Sequence, residues 1–241
     1  MRLYSLVLAV ALPALVACGE SDPAPAPEAA PEAPSEPANA APDPEATPDA
    51  SDSAERTSDF SVTLDAANSS VKWTAIKNGD APVAGKFSKL TGGLVLTAAD
   101  LGATTGELTI DLSGIDSGVE LRDTRIAEAF FGVAPDVAKK ATVTLSALLL
   151  EETTLEPGAT TKGSAMVNLA FDSASVTLKA PVTVARVDAN TWTVATEIDA
   201  TLSIKDLGFS DPLAALITLC AHQSVDDAVA ITANLTFKAA E

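Results

Sequence analysis

From Phe60 to the end of this 241-residue chain, apolar and polar residues change places at nearly every step. Val71, Trp73 and Ala75 alternate with Lys72 and Thr74, and Val83, Gly85 and Phe87 with Ala84 and Lys86. Leu94 and Leu96 follow, then Leu108, Ile110 and Leu112 between Glu107, Thr109 and Asp111. Val143, Leu145, Ala147 and Leu149 make the next set, then Ala165, Val167, Leu169 and Phe171, then Val176, Leu178, Ala180, Val182 and Val184. Trp192, Val194, Thr196, Ile198, Ala200, Leu202 and Ile204 read as one long strand, and Val229, Ile231, Ala233, Leu235 and Phe237 close the series. Successive side chains of a strand point to opposite faces, so a period of two marks strands with one wet and one buried face. About eight of them imply antiparallel pairing around a single apolar interior.

A sandwich and a closed barrel both satisfy that pattern. The length of the strands, the absence of an immunoglobulin-type cysteine and tryptophan spacing, and the removal of exposed edges on closure favour the barrel. An eight-stranded barrel either fills its interior with side chains or holds one ligand. Small residues at inward positions, namely Ala75, Gly85, Ala147, Ala165, Ala180, Ala200 and Ala233, favour a cavity. Pro181 falls on the outward face of its strand and lacks a ladder donor, which predicts a bend or bulge there.

Residues 106–132, GELTIDLSGIDSGVELRDTRIAEAFFG, interrupt the alternation. Gly114, Asp116, Ser117 and Gly118 are turn residues. Ile126, Ala129, Phe130 and Val133 then recur at helical steps, behind a charged run of Glu120, Arg122, Asp123 and Arg125. Such an aromatic pair, Phe130 and Phe131, suits a plug at one end of a sheet. Arg122 and Asp123 read either as a helix-capping ion pair or as contacts for a polar head group. A second short helix is predicted from Asp211, as N-cap, and Pro212 onward, with Leu213, Leu216, Ile217 and Cys220 as its apolar stripe.

The first 17 residues hold one basic residue and an apolar run too short to span a bilayer, ending in Leu15-Val16-Ala17 before Cys18. This resembles a bacterial lipoprotein signal, after which Cys18 is acylated and becomes the mature N-terminus. Acyl chains, at about 0.8 kcal/mol per buried CH2, anchor a protein without a transmembrane helix. Gly19 in place of Asp favours, by the same resemblance, the outer membrane of a two-membrane bacterium. Residues 18–59 are a Pro-, Ala- and Glu-rich linker holding nine of the fifteen prolines. With almost no large apolar side chain it is predicted to be disordered, reaching on the order of 125 Å when extended as polyproline II. The domain organisation is thus signal 1–17, lipidated cysteine and linker 18–59, and barrel domain 60–241.

The formal charge of −18 divides between the linker, with eleven acids and one base in residues 19–59, the domain, with 22 acids and 13 bases, and Arg2. An acidic balance excludes nucleic acid as a partner and electrostatic docking on anionic lipid. His222 is the only histidine, which excludes multi-histidine metal sites. Cys220 and His222 invite a nucleophile–base reading, but two residues along a helix point about 200° apart, and a structural thiol is the plainer assignment. No phosphate-binding glycine loop and no serine nucleophile elbow occur, so the chain reads as a non-enzyme with no metal and no catalytic residue.

The order of acidic strand, Ile-Asp turn, Arg122-Asp123 and Phe130-Phe131 resembles the YceI-like family of bacterial periplasmic lipid-binding proteins. Ser70-Val71-Lys72-Trp73 is similar to the family's first core strand, Val83 to Phe87 to its glycine-phenylalanine strand, and Lys205-Asp206-Leu207-Gly208 to its late turn. The hairpin from Phe171 to Val176 lacks the family's usual Gly-Val-Thr-Lys turn, and Arg125 stands where relatives often have histidine. The resemblance implies an all-β fold: an eight-stranded antiparallel, lipocalin-like barrel with one or two short helices, preceded by a disordered tail. It implies a bound isoprenoid lipid, such as a quinone or polyprenyl chain, as the only ligand, and leaves a homodimer open. The aromatics best placed to touch that lipid are Trp73, Phe87, Phe130, Phe131, Trp192 and Phe237. The inward aliphatics are Val71, Leu108, Ile110, Val143, Leu145, Leu178, Val194, Ile198 and Leu235. The expectation is therefore an envelope lipoprotein, facing the periplasm, that carries, stores or senses a long apolar lipid. The alternative is a structural or partner-binding envelope protein with a solid barrel.

Overall fold

The computed structural model describes residues 59–97, 99–134, 138–197 and 199–239. The signal-like segment, Cys18, the linker up to residue 58 and Ile198 lie outside the described residues. The strands are β1 (Asp59–Leu64), β2 (Ser70–Lys77), β3 (Ala81–Phe87), β4 (Leu90–Thr97), β5 (Thr105–Asp111), β6 (Ile115–Asp116), β7 (Lys140–Leu150), β8 (Thr160–Phe171), β9 (Ala174–Arg186), β10 (Thr191–Thr196), β11 (Ala200–Ser203) and β12 (Ala228–Ala239). Two short helices, α1 (Glu120–Arg125) and α2 (Ser210–Leu219), accompany them, and α1 runs on into a π turn, Ile126–Phe130.

Pairing is antiparallel throughout and closes on itself. The ring runs β1, β4, β5, β7, β8, β9, β10, β12 and back to β1. The remaining strands continue four of those walls: β2 pairs β12 beyond β1, β3 pairs β2, β6 pairs β3, and β11 pairs β12 beyond β10. The fold is an eight-walled up-and-down barrel, as the alternation predicts. The closing seam is tied where β1 gives way to β2. The Asp65 N–H donates to the Thr236 carbonyl at 2.8 Å, the Thr236 N–H to Ser69 Oγ at 2.9 Å, and Lys238 Nζ reaches Asp65 Oδ2 at 2.7 Å. That lysine and then Asn68, by hydrogen bonds, hold the Asp65 carboxyl down to about 2.

Four expectations are corrected. The long strand from Trp192 to Ile204 is two: Ala195 faces Asn234 and Ala200 faces Ile231, so five steps along one side answer three along β12. In β7 the register slips by one between Leu145 and Ala147, and beyond that bulge Leu148 is buried at 9 % exposure while Leu149 stands out at 59 %. An inserted residue moves every later side chain to the opposite face. At Pro181, by contrast, pairing with β8 runs on without a slip. Its carbonyl accepts from Glu197 N–H, so the missing donor falls on the side where β10 has already ended. Finally, α2 starts at Ser210 with Phe209 as N-cap, and Asp211 sits inside the first turn.

Gly92 in β4 is a fixed point of the wall. Its φ is +147°, and a Cβ there would lie 2.2 Å from the Glu107 carbonyl oxygen on β5. Gly92→Ala therefore combines strain with a backbone clash, worth about 3 kcal/mol. At this size the melting temperature, followed by circular dichroism, is expected to drop on the order of 10 °C.

Candidate lipid-binding cavity

The inward faces of the walls enclose two chambers stacked along the barrel axis. The larger has a volume of about 310 Å³ and the smaller about 120 Å³. Leu108, Val143, Ala165, Val167, Val194 and Leu235 border both and form the waist between them. No polar surface faces the larger chamber. Thr196 lines it, but its hydroxyl is spent on the Ala233 backbone, accepting from the N–H at 3.0 Å.

One end is closed by side chains from the two helical segments. In the π turn the Phe131 N–H donates to the Ile126 carbonyl and the Val133 N–H to the Ala127 carbonyl. The wider turn brings Ile126, Phe130 and Phe131 to the cavity and leaves Ala129 half-buried and off the cavity wall, where a regular helix was expected to bury it. Phe130 stacks on Phe209 at 4.9 Å between ring centres. Phe131 meets Phe209 edge-on at 5.8 Å, and Phe87 and Phe171 complete the cluster. Leu213 and Leu216 of α2 cover the remainder.

The segment before the plug is held by Ser117. Asp123 Oδ1 accepts from both the N–H and the hydroxyl of Ser117, while Arg122 Nε donates to Ser117 Oγ at 2.8 Å and Arg122 Nη2 to its carbonyl at 2.8 Å. The two charges thus pin a turn rather than cap the helix as an ion pair. The far end lies beyond the waist, under Leu101, Leu155, Trp192 and Phe237. There the Leu101 N–H donates to the Thr153 carbonyl and Arg186 Nη1 to the Leu155 carbonyl at 2.9 Å.

Of the residues assigned to lipid contact from the sequence, Val71, Trp73, Phe87, Leu108, Ile110, Phe130, Phe131, Val143, Leu178, Val194 and Leu235 line the larger chamber. Leu145, Trp192 and Phe237 line only the smaller. Cys18 and Ile198 lie outside the described residues. Ala75, Ala165, Ala180, Ala200 and Ala233 contribute wall, whereas Ala147 is carried off it by the bulge and Gly85 lies beneath the Trp73 indole. The sequence reading placed Thr196 on an inward face without assigning it to the lipid, and it missed Leu207, Phe209 and Val225. The stripe Leu213, Leu216, Ile217 was visible, but nothing in a helical period says that it faces a space.

The reactive pair of the sequence reading sits at the outer edge of the lid. Arg125 Nη1 donates to Cys220 Sγ at 3.7 Å, and the His222 N–H closes the end of α2 on the Ile217 carbonyl. Burial, then the cations Lys77 and Arg125, hold the His222 imidazole below its ordinary value.

A YceI-like domain model matches residues 62–237. The chain belongs to the YceI-like domain family. Among solved structures, the fold is shared with a polyisoprenoid binding domain from Saccharophagus degradans, implicated in plant cell wall breakdown. That match has 19 % identity and a TM-score of 0.62, over 74 % of this chain and 98 % of that one. BcnA of Burkholderia cenocepacia matches at 20 % identity and a TM-score of 0.54, over 72 % of this chain and 98 % of its own. No curated protein sequence matches the chain.

The single imidazole of this YceI-like domain gives a pH test. A basic group with a depressed folded pKa stays neutral in the fold while the unfolded chain binds a proton, so stability falls as pH drops through about 6.5. The melting temperature is expected to decline between pH 7 and pH 5, and His222→Gln to remove that slope.

Proposed function

We propose that this protein is a membrane-anchored lipoprotein, facing the periplasm, whose barrel holds an isoprenoid or other long apolar lipid. The observation that carries this reading is the cavity: about 310 Å³, walled by aliphatic and aromatic side chains, with no polar group facing it. That volume lies at the lower end of the roughly 300–1,000 Å³ range of ligand sites. A hydrocarbon chain gains about 25 cal/mol for each Å² it withdraws from water, and needs no charged partner inside. The family, and the fold shared with a polyisoprenoid binding domain, support the same class of ligand. The role is binding rather than catalysis, as a carrier, store or sensor, with the outer membrane the favoured site of anchoring through Cys18.

Gentle purification followed by native mass spectrometry and solvent extraction is expected to release a long apolar lipid in near-equal amount to protein. Ala165→Phe, at the waist of the bore, is expected to cut that yield severalfold while costing about 1–3 kcal/mol of stability. Protein that folds normally and yields no lipid from either form sinks the reading. For the anchor, Cys18→Ser is expected to move the protein from the detergent-soluble membrane fraction to the soluble fraction. A variant still fractionating with membranes would show a different attachment.

A further inference from the structure

One stretch of wall along the larger chamber has no ladder. Pairing of β9 with β10 ends where Thr196 faces Val182, and the last backbone bond there runs from the Glu197 N–H to the Pro181 carbonyl at 3.0 Å. The wall is resumed by β11, which among the described residues pairs with β12 alone. Residues 174–180 of β9 therefore have β8 on one side and no paired strand on the other. Yet β9 and β11 lie side by side, their Cα atoms coming within 8 Å. The registers set them level. Thr196 lies opposite Val182 and accepts the Ala233 N–H, while Ala200 faces Ile231. Two steps down β9 and two down β12 thus bring Ala180 beside Ala200, and two more bring Leu178 beside Leu202. All four line the larger chamber.

Backbone groups of a strand alternate in direction as its side chains do. Pro181 turns its carbonyl towards β10, so Lys179, Thr177 and Ser175 turn their N–H and C=O groups to the β11 side. All three residues are exposed, and with no strand to satisfy them these groups are left to water. The slit is bounded at both ends. At one, Glu197 Oε1 accepts from Thr183 Oγ1 at 2.8 Å and pairs with Lys162 Nζ, tying the end of β10 to β9 and β8. At the other, Phe209 packs on Phe171 at 4.7 Å between ring centres. Between them, residues 174–180 span about 20 Å at the rise of a strand, room for a hydrocarbon chain to pass sideways. Parting a laddered seam over that length breaks a run of backbone hydrogen bonds; parting this one breaks side-chain contacts only. The lid pole offers a way only past the packed rings of Phe130, Phe131 and Phe209. We propose that the seam between β9 and β11 is a lateral port through which the apolar lipid enters and leaves the bore. This rests on the lipid-binding reading above and adds the route.

The test uses full-length protein carrying Cys18→Ser and Cys220→Ser, which leave no native thiol, freed of lipid. The probe is diphenylhexatriene, a slim hydrocarbon dye that fluoresces once out of water. Lys179→Cys with Thr201→Cys puts thiols at one level on the exposed faces of β9 and β11, to be joined by a short bismaleimide. Lys72→Cys with Lys86→Cys is the control, an exposed, registered pair across the laddered seam of β2 and β3. Joining β9 to β11 is expected to slow uptake and release alike, about tenfold or more, and to leave the affinity unchanged, because a gate acts in both directions. The control cross-link is expected to change neither. Leu202→Ala, at the seam, is expected to raise the association rate severalfold. Leu169→Ala, which lines the same chamber from β8, is expected to lower the affinity without raising that rate. Exchange at the uncross-linked rate overturns the port, as does equal slowing by both cross-links or an association rate that the two alanine variants shift alike. In those cases bound dye leaves the lipid-binding reading standing. If mass spectrometry finds the thiols at 179 and 201 unjoined, the alanine variants decide. Dye that fails to bind the protein before cross-linking brings down the lipid-binding reading and the port with it. Circular dichroism melting of each variant separates these outcomes from misfolding.

Discussion

The closing of the sheet through β12 is the constraint on which the remaining architecture depends. One edge of that strand pairs with β10 and β11, the other with β1 and β2, so a single strand carries the seam on both sides. A sheet closed into a ring must enclose an interior. Whether that interior is solid follows from side-chain volume. Its middle is built largely from Ala, Val, Leu and Ile, and the rings are gathered at the ends: Phe87, Phe130, Phe131, Phe171 and Phe209 under the helices, Phe60 and Trp192 at the other pole. Small walls and aromatic ends make a hollow bore rather than a packed core.

The walls are regular where they face the cavity and irregular where they bend around it. The gap between β10 and β11, the turn between β1 and β2, and the slip in β7 each insert residues that the neighbouring wall does not match. Such insertions increase local twist and let a strand change direction without losing its neighbours. The β7 slip has a direct effect on the cavity. It turns Leu148 into the smaller chamber, beside Leu145, and leaves Leu149 to solvent.

The walls were legible because strand burial writes itself into the sequence at a fixed period, and the cavity because Ala75, Ala165, Ala180, Ala200 and Ala233 are too small to fill the space they face. The β7 slip was not legible. Leu148, Leu149 and Leu150 are all apolar, so no change of residue type marks where the phase turns over. The π turn was hidden for a related reason: Ala127 and Ala129 are the same residue, and only the backbone decides which one is inside. Arg122 and Asp123 read as partners of each other because they are adjacent in the chain, whereas the shared partner, Ser117, is brought under them by the turn at Gly118.

The size of the cavity bears on how such a barrel is held together. An unfilled apolar bore leaves its lining side chains without partner atoms on one side, and those dispersion contacts are forgone. The backbone ladder bears that burden at the walls, where every strand of the closed ring has two neighbours. The lid is different. It meets the barrel mainly through side chains, the phenylalanine cluster and the leucines of α2, and its polar ties, such as Ser117 with Arg122 and Asp123, are internal to the segment. Opening it would break ring contacts worth about 0.5–1.5 kcal/mol each beyond their burial, and no strand pairing of the closed ring. An apolar chain lying in the bore would supply the contacts that the unfilled space lacks, with the closed ring of strands unchanged.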